Sequence, residues 1–369
     1  MTQWAGVSKL SLMLETGGPA ADIYANGRNQ VAVTISVKPT DENGGTYYGD
    51  ISWPNRVNLV DYVSGEKLNW QGREGWCFTA GEDRYFHHVP GGGGAAASAE
   101  AGSEAGVESA SAAEPGEASE PAPAEAGLAA DGTQKFTFYV TCWPGADRKS
   151  ISAWVETDTG KVYTTESGSG SFEGKVTLDP LVALTHRRSG VNWDYSRTAT
   201  RYQDDTKYVT TEAWNYYLSL DSTDNYFVTF SVSGYWTDSG YEGFFACDIK
   251  PDSHHKNLYG SYVWYQEPHG SSYDGDGGYG GLIVNFPDGN KWWDYARVYD
   301  RPYPDQYLCF TWVHATTGGN GWHIPNGPIN TWRVYYSPVI TAWDRYGNTG
   351  KFSIDGSGVD SGIDLADYS

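Results

Sequence analysis

Basic clusters, long apolar runs, helical periodicity and closely spaced cysteines are all missing from this chain of 369 residues, and each shortage removes a class of function. Lys and Arg number 25 against 46 Asp and Glu, a formal net charge of −21. Nucleic-acid backbones need clustered Lys and Arg, so nucleic acid is excluded as a partner and anionic membrane surfaces are disfavoured. No apolar run reaches the length of a membrane span, so no integral membrane segment is expected. The start, Met1-Thr-Gln-Trp-Ala-Gly, has neither a basic n-region nor an apolar h-region. The expectation is therefore no Sec signal, with extracellular delivery by another route and cytoplasmic storage both open.

Four cysteines (Cys77, Cys142, Cys247, Cys309) stand far apart, and none forms a CxxC pair, which removes zinc-ribbon and thioredoxin-type readings. Buried free thiols are the first expectation; if bridges form, Cys77–Cys142 and Cys247–Cys309 are the economical pairing. Histidines occur as the neighbours His87-His88 and His254-His255 and singly elsewhere. Adjacent residues on a strand point to opposite faces, so neither pair chelates one metal. HExxH, GxSxG, GxGxxG and Walker motifs are absent, and no catalytic residue is assigned.

What the chain does have is β-branched residues, glycine and rings. The last 179 residues, from Val191, hold 38 of its 56 aromatic side chains, set among Gly, Asp, Ser and Thr. Met and Leu are scarce and no helical period runs for long, so the composition reads as all-β. Trp and Tyr combine a flat apolar face with a polar tip, which suits both a sandwich core and a wet recognition surface.

The sharpest break is the tract from Gly91 to Gly132, made of Gly, Ala, Glu, Ser and Pro with no ring and no Lys or Arg. It cannot bury enough apolar surface to offset its ordering entropy, so a disordered insertion is expected. Strand signals lie on both sides. Before it, Gln30–Val37 alternates with apolar residues at 31, 33, 35 and 37; after it, Lys135–Cys142 and the hairpin around Asp158-Thr-Gly160 continue the style. The two sides read as halves of one sandwich over 1–190, with the tract at a loop tip. From Val191 to Ser369 at least eight further strands fit a second, aromatic-rich sandwich or jelly roll, closing in a loose polar tail.

The opening Tyr24-Ala-Asn-Gly27, the alternating strand to Val37 and the turn Thr40-Asp-Glu-Asn-Gly44 resemble the start of bacterial Ig-like repeats of the invasin and intimin type. The resemblance covers about the first forty-five residues and implies an Ig-like sandwich and surface biology. It departs from that family in having one unit rather than an array, and it transfers no functional residue.

Candidate ligand-binding residues are taken from the densest rings: Trp264, Tyr265, Trp292, Trp293 with Asp294 beside them, Trp312 and Trp322. Sugar faces stack on such rings where they reach solvent. In the loop Tyr273–Gly281, Asp274 and Asp276 stand one residue apart among glycines, a setting in which calcium finds oxygen ligands; no other cofactor is expected. The functional expectation is a non-enzymatic recognition protein of adhesion type, contacting a glycan or cell-surface ligand through its C-terminal domain. Two further readings stay open: a bacterial toxin or secreted effector component that engages host membranes or self-assembles, and a β-sandwich glycoside hydrolase.

Overall fold

Period-two alternation over Gln30–Val37 demands a strand with one face in a core, and it sits at the centre of the first sandwich. The computed structural model describes residues 3–51, 55–89, 127–168, 170, 172–197, 208–235, 244–251, 256–264, 280–285, 291–296, 306–317, 333–355 and 362–369. The chain is all-β and divides into two units: 1–184 with 346–348, and 185–345 with 349–369. The boundary thus falls six residues before the expected 190, because Thr185 and His186 already pair with Thr349 and Gly350.

The first unit contains β1 (Gly6–Leu14), β2 (Ala20–Tyr24), β3 (Val31–Thr40), β4 (Val57–Asp61), β5 (Asn69–Trp70), β6 (Trp76–Thr79), β7 (Gly127–Leu128), β8 (Gln134–Cys142), β9 (Lys149–Glu156), β10 (Val162–Thr164) and β11 (Val176–Leu181). One sheet runs β1-β3-β8-β6-β5; in the other, β9 is flanked by β4 on one edge and by β10 and β11 on the other. These six- and five-stranded sheets form a two-sheet sandwich of Ig-like kind, with more strands than the minimal seven. Here β2 crosses over and pairs in parallel with the last strand, β11. Both sheets feed one aliphatic core that includes Val31, Val33, Ile35, Val37, Val57, Leu59, Ile151 and Leu178.

Loops of this unit are fastened by buried neutral amides. Asn29 is fully buried; its Oδ1 accepts from Tyr24 N (3.0 Å) and its Nδ2 donates to the carbonyls of Tyr85 (3.1 Å) and His87 (3.2 Å). Gln30 holds Gly81 and Asp83, and Gln134 holds Gly49 and Ile51, in the same way. The turn before β3 needs glycine: Gly27 has φ +69°, and a Cβ there would lie 2.7 Å from the Trp143 ring.

Residues 127–132, expected within the disordered tract, are instead ordered. Gly127 and Leu128 pair with Lys135 and Gln134, and Gly132 turns the chain at φ +82°. The reason is local: once a partner strand is alongside, a short backbone ladder satisfies polar groups without any apolar side chain. The rest of the tract, 91–126, lies outside the described residues. The economical Cys77–Cys142 bridge does not form; both are buried free thiols. Register sets Trp76 opposite Cys142, so Cys77 points to the other face of the sheet and the two sulfurs cannot meet. Burial pushes the Cys142 thiol up to about 12 and also raises Cys77. Cys309 is buried too, while the Cys247 side chain lies outside the described residues.

The second unit contains β12 (Thr185–His186), β13 (Val191–Arg197), β14 (Tyr208–Leu220), β15 (Phe227–Ser233), β16 (Phe244–Pro251), β17 (Lys256–Trp264), β18 (Gly280–Asn285), β19 (Lys291–Ala296), β20 (Leu308–Thr317), β21 (Arg333–Tyr335), β22 (Val339–Asp344), β23 (Thr349–Ile354) and β24 (Leu365–Asp367). A five-stranded sheet, β12-β23-β22-β15 with β24 beside β23, contributes to one core with the six-stranded β13-β14-β20-β17-β16-β21; β18 and β19 form a separate hairpin. The core is ring-rich, with Phe227, Phe245, Phe310, Phe352 and Trp312 among Leu218, Val263, Ile340 and Ile354. Arg333–Tyr335 and Val339–Asp344 are separate strands. Pro338, which has no N–H for a ladder, marks where the chain leaves the larger sheet for the smaller one. The polar tail closes with an edge strand: β24 pairs with β23, and Ile363 and Leu365 enter the core.

Candidate functional site

Alternation along β13 and β14 divides their side chains between two faces of the six-stranded sheet. Val191, Trp193, Leu218 and Leu220 turn to the sandwich core, so Asn192, Asp194, Tyr217 and Ser219 share the opposite face, with Asn192 opposite Ser219 and Asp194 opposite Tyr217. On that opposite face a groove of about 510 Å³ opens beside β13. Asn192, Asp194 and Ser219 line it from the sheet, and Asp221, Ser222 and Thr223 from the loop that leaves β14. Leu220, Tyr226, Gln306 and Tyr307 complete the described part of its walls. Asp194 and Asp221 are exposed, and both tyrosines are half-buried.

The loop wall is held by hydrogen bonds. Ser222 Oγ accepts from the backbone N–H of Asp224 (3.3 Å) and Asn225 (3.1 Å). Asn225 Nδ2 donates to Asp344 Oδ2 (2.8 Å), a carboxylate with no solvent exposure, and His186 Nε2 lies 2.9 Å from the same oxygen. Arg345 N donates to Tyr226 O (2.9 Å), and the Arg345 guanidinium lies 5.1 Å from the centre of the Tyr226 ring. Removal of Asp344 would leave two half-buried donors, on Asn225 and His186, without this acceptor, so the carboxylate helps to set the shape of the loop.

The sheet wall is fixed by a hydrogen-bonded chain across three strands. Trp264 Nε1 donates to Thr311 Oγ1 (2.7 Å), Thr311 donates to Asn215 Oδ1 (2.7 Å), and Asn215 Nδ2 donates to Tyr217 Oη (3.3 Å). All four side chains are buried. The Tyr217 ring meets Tyr307 edge-on at 6.4 Å, which carries the chain to the groove.

The other face of the sheet bears a run of rings that crosses four strands. Tyr195 contacts Trp214 and Tyr216 at 5.7 and 5.5 Å, and Trp193 lies 5.4 Å from both Tyr216 and Phe310. Farther along, Tyr259 stacks on His314 at 4.5 Å and 6°. Burial raises the Tyr216 phenol above its ordinary range. Of these rings Tyr195 reaches solvent most, at 63% exposure.

The structure relocates the rings chosen from sequence. Trp264 is 1% exposed and Trp312 is 9% exposed, so neither offers a face to a ligand. Trp312 joins the sandwich core, and Trp264 is covered on the far side of the same sheet, its indole N–H committed to Thr311. Trp292, Trp293 and Asp294 lie in β19 opposite Val284, Ile283 and Leu282; only their backbone is described. Tyr265, Trp322, Asp274 and Asp276 lie outside the described residues. Among the described residues, no group of three or more His, Cys, Asp or Glu could hold a metal ion, and no helix is long and apolar enough to cross a membrane. Sequence reading missed Asn192, Asp194, Tyr226 and Tyr307. The repeated ring-x-ring pattern of Trp193/Tyr195 and Trp214/Tyr216 was the available signal that these two strands pair and sort their faces.

No family model and no curated protein matches the chain. Among solved structures it is similar to the C-terminal domain of the AgI/II polypeptide BspA of Streptococcus agalactiae, at 11% identity over 98% of this chain and 99% of that one, with a TM-score of 0.19. It is also similar to the C-terminal domain of the antigen I/II-family protein AspA of Streptococcus pyogenes (10% identity, 98% and 99%, TM-score 0.20) and to the collagen adhesin of S. aureus (10%, 98% and 95%, TM-score 0.15). Superpositions this poor carry neither fold nor function across.

Proposed function

We propose that this chain is a non-enzymatic recognition protein that binds a glycan or glycan-bearing surface through its second sandwich. The observation that supports this is the groove beside β13, where two carboxylates, two amides and three hydroxylated side chains converge between two tyrosine rings. A sugar presents hydroxyls that both donate and accept, together with an apolar ring face, and such a lining meets both needs. Walls held by the Asp344 and Trp264 hydrogen bonds reduce the ordering cost on binding.

A glycan array probed with the full chain, with and without calcium, tests this reading. Binding is expected to survive calcium removal and to fall at least tenfold, about 1.4 kcal/mol, in Tyr307→Ala. An array without any hit, or equal binding by Tyr307→Ala, overturns it. Glycoside hydrolysis is the second reading, because Asp194 and Asp221 line one groove as a carboxylate pair must. Release of reducing sugar from any bound glycan would select it.

A further inference from the structure

The geometry points to Asn43 as a site of spontaneous covalent modification, deamidation through its own backbone, from which the fold shields Asn26. Both residues precede a glycine, which has no Cβ to keep its backbone nitrogen away from the side chain before it. In the reaction that nitrogen, Gly44 N or Gly27 N, gives up its proton to water and attacks the asparagine Cγ. A C–N bond closes a five-membered succinimide, and the carboxamide nitrogen leaves as ammonia. Water then opens the ring at either carbonyl, giving aspartate or, with the main chain routed through the β-carbon, isoaspartate. The sum is one water gained and one ammonia lost, with no oxidant or cofactor. Two further Asn-Gly pairs, at Asn320 and Asn326, lie outside the described residues.

Asn26 is held at both ends of its carboxamide. Its Oδ1 accepts from the backbone N–H of Arg28 (2.9 Å) and Asn29 (2.9 Å), and its Nδ2 donates to Tyr346 O (2.8 Å) and Asn348 Oδ1 (3.1 Å). The attacking nitrogen is committed as well, because Gly27 N donates to the carbonyl of buried Cys142 (2.8 Å). Cys142, Tyr346 and Asn348 come from distant segments of the same unit, so freeing Asn26 means breaking tertiary structure. Asn43 stands in the turn after β3, and both it and Gly44 are exposed. Local hydrogen bonds hold that turn. Asp41 Oδ1 accepts from Asn43 N (2.9 Å) and Gly45 N (2.8 Å), and Gly44 N donates to Asp41 O (3.0 Å). Residues 41–45 contribute no side chain to the core, so fraying of the turn alone brings Gly44 N to the Asn43 carboxamide. Conversion sets a third carboxylate beside Asp41 and Glu42, and isoaspartate adds a backbone atom to a turn in which one Asp41 oxygen spans two N–H groups.

The test is peptide mapping by mass spectrometry of the full chain aged in mildly alkaline buffer, both folded and in concentrated urea. Deamidation raises a peptide's mass by one unit, and electron-transfer fragmentation assigns the residue and separates aspartate from isoaspartate. In the folded chain Asn43 is expected to convert at least about tenfold faster than Asn26. In urea the two rates should converge, because the fold is what separates them. Asn26 keeping pace with Asn43 in the folded chain, or Asn43 staying intact while it converts in urea, overturns the proposal. So does a gap that persists undiminished in urea, which would assign the difference to the flanking residues. The readout needs no ligand, so it stands or falls separately from glycan binding by the groove.

Discussion

The two sandwiches reach the same two-sheet architecture from different material. In the first, the core is mostly Val, Ile and Leu, and the loops are fastened by Asn29, Gln30 and Gln134. In the second, rings such as Phe227, Phe245, Phe310, Phe352 and Trp312 take a larger share of a core that is still mainly aliphatic, and the fastenings are the Asp344–His186–Asn225 cluster and the Trp264–Thr311–Asn215–Tyr217 chain. Neutral amides fasten loop backbone within their own unit and stop there. The carboxylate and the indole chain each end at a wall of the groove. The lesson is that buried polar groups in the first unit close a structure, while those in the second position a surface.

The sharpest way to break this comparison is to empty one core at a time. Phe310→Ala should cost the second unit about 3–5 kcal/mol and Ile35→Ala should cost the first about 2–5 kcal/mol. Hydrogen exchange of peptides from each unit, measured in increasing urea, should show each loss confined to its own sandwich. Spread of either effect into the other unit would show that they do not fold as separate bodies.

Next come the polar anchors. Asp344→Ala should destabilise the second unit by about 2 kcal/mol, because the half-buried donors of Asn225 and His186 then lose this acceptor. It should also weaken groove binding by releasing the 221–226 loop. Asn29→Ala should cost the first unit about 2 kcal/mol, without any effect on binding. Sugar affinity and urea midpoints measured together separate the two outcomes.

A smaller effect tests the indole chain. Trp264→Phe keeps an aromatic ring, though a smaller one, and removes the N–H that Thr311 accepts; the lost hydrogen bond alone should cost about 1–2 kcal/mol. If Trp264 is a positioning residue for Tyr307, groove affinity falls while Thr311→Val, which also breaks the chain, reproduces the loss. An unchanged affinity in both variants would confine the chain to a structural role.

The smallest expected effect lies in the first unit and depends on pH. Burial alone would raise Asp61, but hydrogen bonds from Ser64 N, Lys149 Nζ and Val63 N, with the Lys149 charge, outweigh it and lower the carboxyl to about 2. A carboxyl depressed in the folded state stabilises above its ordinary value of 3.8 and loses that contribution as pH falls toward about 2. With solvent screening the contribution is on the order of 1 kcal/mol. Asp61→Asn should flatten the acid limb of the first unit's stability and leave the second unit's limb unchanged, as urea titrations below pH 5 would record.

Much of the fold was legible locally. Alternation at 31, 33, 35 and 37 placed the central strand of the first sandwich with its core face, and Asp158-Thr-Gly160 placed the β9–β10 hairpin, where Gly160 has φ +77°. The crossing of β2 to pair with β11 was not legible, because Ala20–Tyr24 is too short to signal a strand and its partner lies more than 150 residues away. The candidate site was read only to the level of the domain. Ring density pointed to Trp264 and Trp312, but density does not say which face of a sheet is covered.

By itself, then, the sequence determined the all-β class, the core strand faces and the acidic character that sets what the surface will attract. Tertiary structure decided which rings meet solvent, that Cys77 and Cys142 stay apart, and that Asp194 and Asp221 share a groove. Alternation is a property of neighbours along one strand, so it survives in any sequence reading. Burial and convergence depend on what the opposite sheet and distant loops bring to each face, and no local pattern carries that information.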